Sequence, residues 1–302
     1  MKRLLLFVGV FVVAFVIFYG VPFRQAGIEY SYKPRIAWAD EAPPAVVIFA
    51  VSGRCGIHCN APDDNHEYLT GAGTVEALAN AFRRHRFSVY TLAYRAHLKT
   101  APARGPGGKP QYGFLQLEAD FDLVQRNWPH TRRVLVGHSH GVNWTHNLLR
   151  LHPEWTVDYL IDLDGVCDRW EEDNAAYFAA YERAARKKRW QADPARSCRV
   201  EAVPVAGGKR LFDVKDVAYP GAAYNLEVRT RTPSLHDAVP NRRPDGSTLG
   251  IETFVTGENH SAILVPGSQA LAWVEQTLAR IERKRGPARN GAGLSPAFAQ
   301  SR

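Results

Sequence analysis

Continuous apolar runs alternating with stretches of helical period constrain this chain more than any other feature. The run Ala45-Val46-Val47-Ile48-Phe49-Ala50-Val51, closed by Gly53, has nothing polar to offer water on either face, so it reads as a strand buried on both sides. Residues 74–84 then place Val75, Leu78, Ala79 and Phe82 on one helical face. The same alternation gives strands at 87–93, 133–136 and 157–163, with helices at 115–128 and at 142–151, just ahead of Pro153. It pauses, then resumes with strands at 222–229 and 251–255 and a last helix from 268 to about 284. Each strand followed by a helix needs a crossover to the next, so the expected class is α/β, with a mostly parallel sheet flanked by helices.

The remaining segments divide the chain. Residues 4–23 carry no charge and are mostly Leu, Val, Phe and Ile, long enough as a helix to cross a bilayer's hydrocarbon core of about 30 Å. Lys2 and Arg3 precede them and would keep that end in the cytoplasm. Residues 1–23 therefore read as an uncleaved membrane anchor or a removed signal peptide, and both export the body. The first leaves it tethered outside the cytoplasm, the second periplasmic or secreted. Residues 24–44, with Pro34, Pro43 and Pro44, read as a linker, 45–285 as the folded domain, and 286–302 as a disordered Gly/Pro/Ala-rich tail. Residues 101–110 read as a long surface loop, and 166–218 as an insertion rich in charge and aromatic rings.

The net charge of +8 suggests a nucleic-acid partner only until it is located. The surplus lies mainly at the C-terminal end, in Arg280, Arg283, Lys284, Arg285, Arg289 and Arg302, with a smaller share at the N-terminus. Residues 42–276 are close to neutral and hold no nucleic-acid-binding motif, so no nucleic acid is expected. Export makes the four cysteines candidates for disulfides, Cys55 with Cys59 and Cys167 with Cys198. A metal site built from Cys55, His58, Cys59 and His66 is the rival reading, and no second Cys-rich half supports it.

The chemistry-bearing motif is Gly137-His138-Ser139-His140-Gly141, which stands directly after one expected strand and directly before a helix. A serine on so sharp a turn is held out from the sheet edge at a helix N-terminus, and the backbone passing two residues either side leaves no space for a Cβ. In this motif and in its order of elements over residues 45–284, the chain resembles the α/β-hydrolase family of serine hydrolases. The His-Ser-His form is also similar to that of bacterial lipases of the Pseudomonas type. Val142 and Val51-Ser52-Gly53-Arg54 stand where many of those lipases carry a further Gly and a His-Gly motif.

The resemblance implies an α/β-hydrolase fold with a cap, here the insertion at 166–218 between the sixth and seventh family strands. It implies a Ser139 nucleophile followed in chain order by an acid and a histidine. His260, on the loop after the last expected strand, fits the histidine; His138 and His140 are poor bases because neighbours on a tight turn point away from the hydroxyl. Asp237, in Ser234-Leu235-His236-Asp237-Ala238-Val239-Pro240, is the expected acid, with Asp164 and Asp162 at the end of the preceding strand as alternatives. The oxyanion donors are expected to be the backbone N–H of His140 and that of Gly53 or Arg54. The implied activity is cleavage of carboxylic esters in a small-molecule or lipid substrate, with no metal and no organic cofactor. A thioesterase, peptidase or acyltransferase on the same residues, or a non-catalytic binding module, is the alternative.

Overall fold

The computed structural model of the protein describes residues 42–54, 66–98, 103–188, 198, 200–231 and 239–285. The apolar runs of the sequence become six parallel strands: β1 (Val46–Ser52), β2 (Val89–Arg95), β5 (Arg132–His138), β6 (Val157–Leu163), β9 (Ala222–Arg229) and β10 (Ile251–Val255). They lie in the order β10-β9-β6-β5-β1-β2 and every neighbouring pair is parallel. Parallel neighbours bury both faces of a strand, which is why β1 is apolar at every position but its last.

Helices cover the two faces. Ile48, Val134, Ile161 and Val228 point to a layer made by α1 (Thr74–Arg83) and, at the far end of the chain, α5 (Gln269–Arg285). Phe49, Leu135 and Leu160 point to the opposite layer, made by α2 (Phe114–Asn127) and α3 (His140–Leu151). In that layer Phe114 stacks on Trp144 with ring centroids 4.3 Å apart, and Phe121 on Trp155 at 5.0 Å. The expected mostly parallel α/β sheet flanked by helices is what the chain forms.

The differences are local. The second strand begins two residues later than its apolar pattern suggests, because Arg86 takes a left-handed turn (φ 64°) and Phe87 packs back on Phe82 of α1. The described part of the expected 101–110 loop contains a short antiparallel pair, β3 (Ala103–Arg104) with β4 (Pro110–Gln111). The chain between β6 and β9 carries α4 (Trp170–Lys188) and a hairpin, β7 (Val200–Val205) with β8 (Gly208–Asp213). Trp170, Phe178 and Tyr181 of α4 are buried on the body, Trp170 meeting Trp144 edge to face at 4.5 Å. The expected disulfide between Cys167 and Cys198 is present and ties the chain just ahead of α4 to the chain just ahead of β7, Cα to Cα 5.8 Å. No helix among the described residues is long and apolar enough to cross a membrane. The 4–23 segment, the linker up to residue 41, Cys55, His58 and Cys59, and the tail from 286 onward lie outside the described residues.

The strand order decides where a site can lie. From β1 the chain crosses to β2 on one side and returns to β5 on the other, so the order in which strands are added reverses between β1 and β5. Beyond the carboxyl ends of strands at such a point, the loops diverge and open a crevice. Gly53 ends β1 there, and Ser139 ends β5.

Candidate active site

Ser139 sits between β5 and α3 with φ 55° and ψ −126°, a backbone conformation costly for any residue with a side chain. Its surroundings enforce it. A Cβ at Gly137 would lie 2.6 Å from the backbone of Val142, and one at Gly141 would lie 2.0 Å from the Val51 carbonyl oxygen. The two glycines of the motif thus let α3 turn back directly over β1 and β5. Gly53 has the same role from the facing loop, since its Cβ would meet the Cβ of Ser139 at 2.4 Å.

His260 reaches the same end of the sheet on the loop after β10. Polar groups make that loop rigid: Asn259 Oδ1 accepts the N–H groups of Ser261 and Ala262, and Thr256 Oγ1 accepts that of Glu258. The Glu258 carboxylate accepts the N–H groups of Gln269 and Ala270, capping α5 at an end where backbone donors lack partners.

The carboxylate that meets His260 is Asp164, Oδ2 to Nδ1 at 2.6 Å. Asp164 follows β6 directly, in a left-handed turn (φ 53°), and its carboxylate also accepts the N–H (2.8 Å) and hydroxyl (2.7 Å) of Thr230. Burial opposes the charged form of Asp164. The hydrogen bonds from His260 and Thr230 more than offset it and hold the carboxyl below its usual range. An ionised Asp164 accepts from Nδ1–H, which leaves Nε2 of His260 as the bare, basic nitrogen.

Of the three candidate acids, Asp237 lies outside the described residues, and Asp162 serves elsewhere. Asp162 Oδ2 accepts from His146 Nε2, Asn225 Nδ2 and Asn241 Nδ2 in a buried cluster beneath α3. His146 also donates from Nδ1 to the Val217 carbonyl, so its ring faces an acceptor at both nitrogens. Burial works against the charged form of His146, but the carboxylate of Asp162 outweighs it and raises the pKa. This ion pair packs α3 onto the sheet and has no contact with His260.

Both histidines beside Ser139 are engaged in hydrogen bonds. His138 bonds Tyr68 Oη through Nδ1 and the His260 carbonyl through Nε2. His140 donates from Nε2 to the Asp168 carbonyl at 2.6 Å, and burial pulls its pKa down to about 4, so it is neutral. Gly53 differs from expectation. Its N–H donates to Tyr68 Oη at 3.0 Å and is therefore already committed. Arg54 is the other expected donor, and its guanidinium lies 3.3 Å from Asp173 at the start of α4. Tyr68 and Thr230, both in direct contact with these groups, carry no signal in the sequence. Each lies in irregular chain and enters the site only through strands that become neighbours on folding.

No protein-family model matches the chain, and no curated protein matches it in sequence. Solved structures do resemble it. The esterase domain of a Rhodothermus marinus protein is 13% identical, with a TM-score of 0.40 over 80% of this chain and 87% of that one. Mouse alpha/beta hydrolase domain-containing protein 10 is 10% identical, with a TM-score of 0.41 over 79% and 90%. Est1E from Butyrivibrio proteoclasticus, with ferulic acid bound, is 13% identical, with a TM-score of 0.40 over 79% and 88%. What the chain itself shows is a central sheet of six parallel strands with helices on both faces.

Proposed function

We propose that this chain is a serine hydrolase that cleaves carboxylic esters through an acyl-enzyme on Ser139. The observation that carries this reading is the Asp164–His260 pair. A charged carboxylate, itself held by Thr230, fixes the tautomer of a histidine at the sheet edge where a strained serine emerges. Nε2 of His260 takes the proton of Ser139 Oγ as the oxygen bonds to the ester carbonyl carbon. The negative charge that develops on the carbonyl oxygen is met by the backbone N–H groups of His140 and Arg54. The first of these opens α3, where backbone N–H groups have no intrahelical acceptor. The tetrahedral species collapses by breaking the ester C–O bond, and the His260 imidazolium returns the proton to the departing alcohol. Water then repeats the sequence on the acyl-serine, releasing the acid and restoring Ser139.

In this reading the α4 and β7–β8 segment serves as the cap. The Arg54–Asp173 ion pair and the His140–Asp168 hydrogen bond anchor its root to the elbow and to the loop after β1. The Cys167–Cys198 disulfide supports an oxidising compartment, in line with export, and residues 4–23 would then hold the enzyme at the membrane surface.

The test is labelling of the full-length protein with a fluorophosphonate, with Ser139→Ala, His260→Ala and Asp164→Ala as the comparison set. Labelling that vanishes with Ser139→Ala and falls steeply in the other two is the expected result. A folded wild-type chain that takes no label would refute the hydrolase reading in favour of a binding module. Matched p-nitrophenyl ester and thioester panels then rank the acyl group and the bond.

A further inference from the structure

Tyr68, His138 and the peptide of His260 form a single line of hydrogen bonds that begins at Gly53. The proton positions along it follow from chemistry. The His260 carbonyl can only accept, so Nε2 of His138, 2.9 Å away, carries a hydrogen. Burial, reinforced by the nearby His260 ring, holds the pKa of His138 well below its ordinary value, so this ring is neutral and its Nδ1 is bare. The Tyr68 hydroxyl must then donate to Nδ1, and its oxygen accepts the Gly53 N–H at 3.0 Å. Burial pushes the Tyr68 phenol above its usual range, so it keeps the proton it donates. Every donor has one acceptor and no group in the line has a second choice.

Resting on the serine-hydrolase reading above, we propose that Tyr68 and His138 are positioning residues. They hold the oxyanion loop, the nucleophile elbow and the His260 loop in one register. Gly53 immediately precedes Arg54, whose N–H is the proposed oxyanion donor. His138 immediately precedes Ser139. His260 is gripped at its ring by Asp164 and at its carbonyl by His138, with the two imidazoles 4.3 Å apart. The line thus ties together three segments far apart in sequence that must agree to within a fraction of an ångström for acyl transfer. A neutral His138 also sets no like charge beside His260 when that ring takes up the serine proton. Ser52 fixes the Tyr68 end, its hydroxyl accepting the Tyr68 N–H at 3.0 Å and donating to Glu67.

The experiment compares fluorophosphonate inactivation of the full-length wild type, Tyr68→Phe, His138→Leu and the double variant, resolving the maximal rate from the half-saturating concentration. Tyr68→Phe keeps the ring and removes only the hydroxyl. It is expected to lower the maximal rate by about 30- to 100-fold, the scale of a misplaced reacting group, with half-saturation within about threefold. Because both residues act through one line, the double variant is expected to be no more than about threefold slower than the slower single variant. A maximal rate in Tyr68→Phe within threefold of wild type would overturn the proposal, whatever the change in melting temperature, as would independent, multiplying losses. If Tyr68→Phe does not accumulate as folded protein, His138→Gln against His138→Leu decides instead. The amide offers one donor and one acceptor and is expected to retain rate that Leu loses, and equal rates overturn the proposal. A wild type that is not labelled at Ser139 at all refutes the hydrolase reading itself, an outcome separate from any of these.

Discussion

Replacing Asp164 by Asn probes the proposed mechanism most directly, because it changes one oxygen to an NH2 without altering shape. In the native site the carboxylate accepts three hydrogen bonds: from His260 Nδ1, from the Thr230 N–H and from the Thr230 hydroxyl. An amide offers one oxygen for these, so at least one of its N–H groups must face a former donor. The relief available is for His260 to move its proton to Nε2 and accept at Nδ1. That tautomer cannot take a proton from Ser139. A second loss is electrostatic. As the serine proton moves, His260 becomes cationic beside a unit negative charge, and with centres about 4 Å apart at an effective dielectric of 20 the attraction is about 4 kcal/mol. That alone corresponds to about 10³ in rate, and the tautomer penalty brings the expected loss to about 10⁴ in the maximal rate. The assay is the fluorophosphonate inactivation rate, or turnover of a p-nitrophenyl ester, with circular dichroism to verify folding. A folded Asp164→Asn within tenfold of wild type would refute the assignment, and if Asp237→Asn then showed the large loss, the acid would be Asp237. Asp162→Asn separates the two aspartates at the carboxyl end of β6: it should destabilise the fold through the His146 pair while sparing the rate constant of the protein that remains folded.

Gly141→Ala should cost about 1–3 kcal/mol or prevent folding, because its Cβ would lie 2.0 Å from the Val51 carbonyl, and thermal unfolding measures it. The paired substitution of Cys167 and Cys198 by Ser opens a loop of sequence separation 31. It should lower stability by up to about 4 kcal/mol, read as a drop of roughly 8–16 °C in melting temperature, and an unchanged melt would refute the bridge's role. Burial pushes the Glu227 carboxyl from its ordinary 4.5 up to about 7, against hydrogen bonds from Thr253 and Asn241. A folded pKa above the unfolded one means the native state binds more protons, so this group's contribution to stability falls as pH rises between about 4.5 and 7. Glu227→Gln should remove that slope and raise stability at pH 8 relative to wild type, measured by denaturant titration at pH 4.5 and 8.

The sheet was legible in the chain because its strands are short stretches rich in apolar residues set apart by helical periodicity, and both are local properties. Strands β6, β9 and β10 fall at the residues the pattern marks, although β9 carries Asn225 and Glu227 and β10, at the sheet edge, stays partly exposed. The elbow was legible for a related reason: Gly137, Ser139 and Gly141 answer a backbone geometry that only those spacings satisfy. Cys167 and Cys198 were paired because they flank one segment. The partner of His260 was a different matter. Asp164, Thr230 and His260 are far apart along the chain, yet they follow β6, β9 and β10, three consecutive neighbours in the sheet whose carboxyl ends lie side by side. Motif likeness favoured Asp237, whereas strand adjacency brings Asp164 to Nδ1. Only the fold could assign the Gly53 N–H to Tyr68 and set His138 against the His260 carbonyl, because a hydrogen bond between distant segments leaves no periodicity and no spacing in the sequence. Local pattern therefore determined the scaffold and the strained serine turn, and long-range convergence of side chains decided what holds His260 in place.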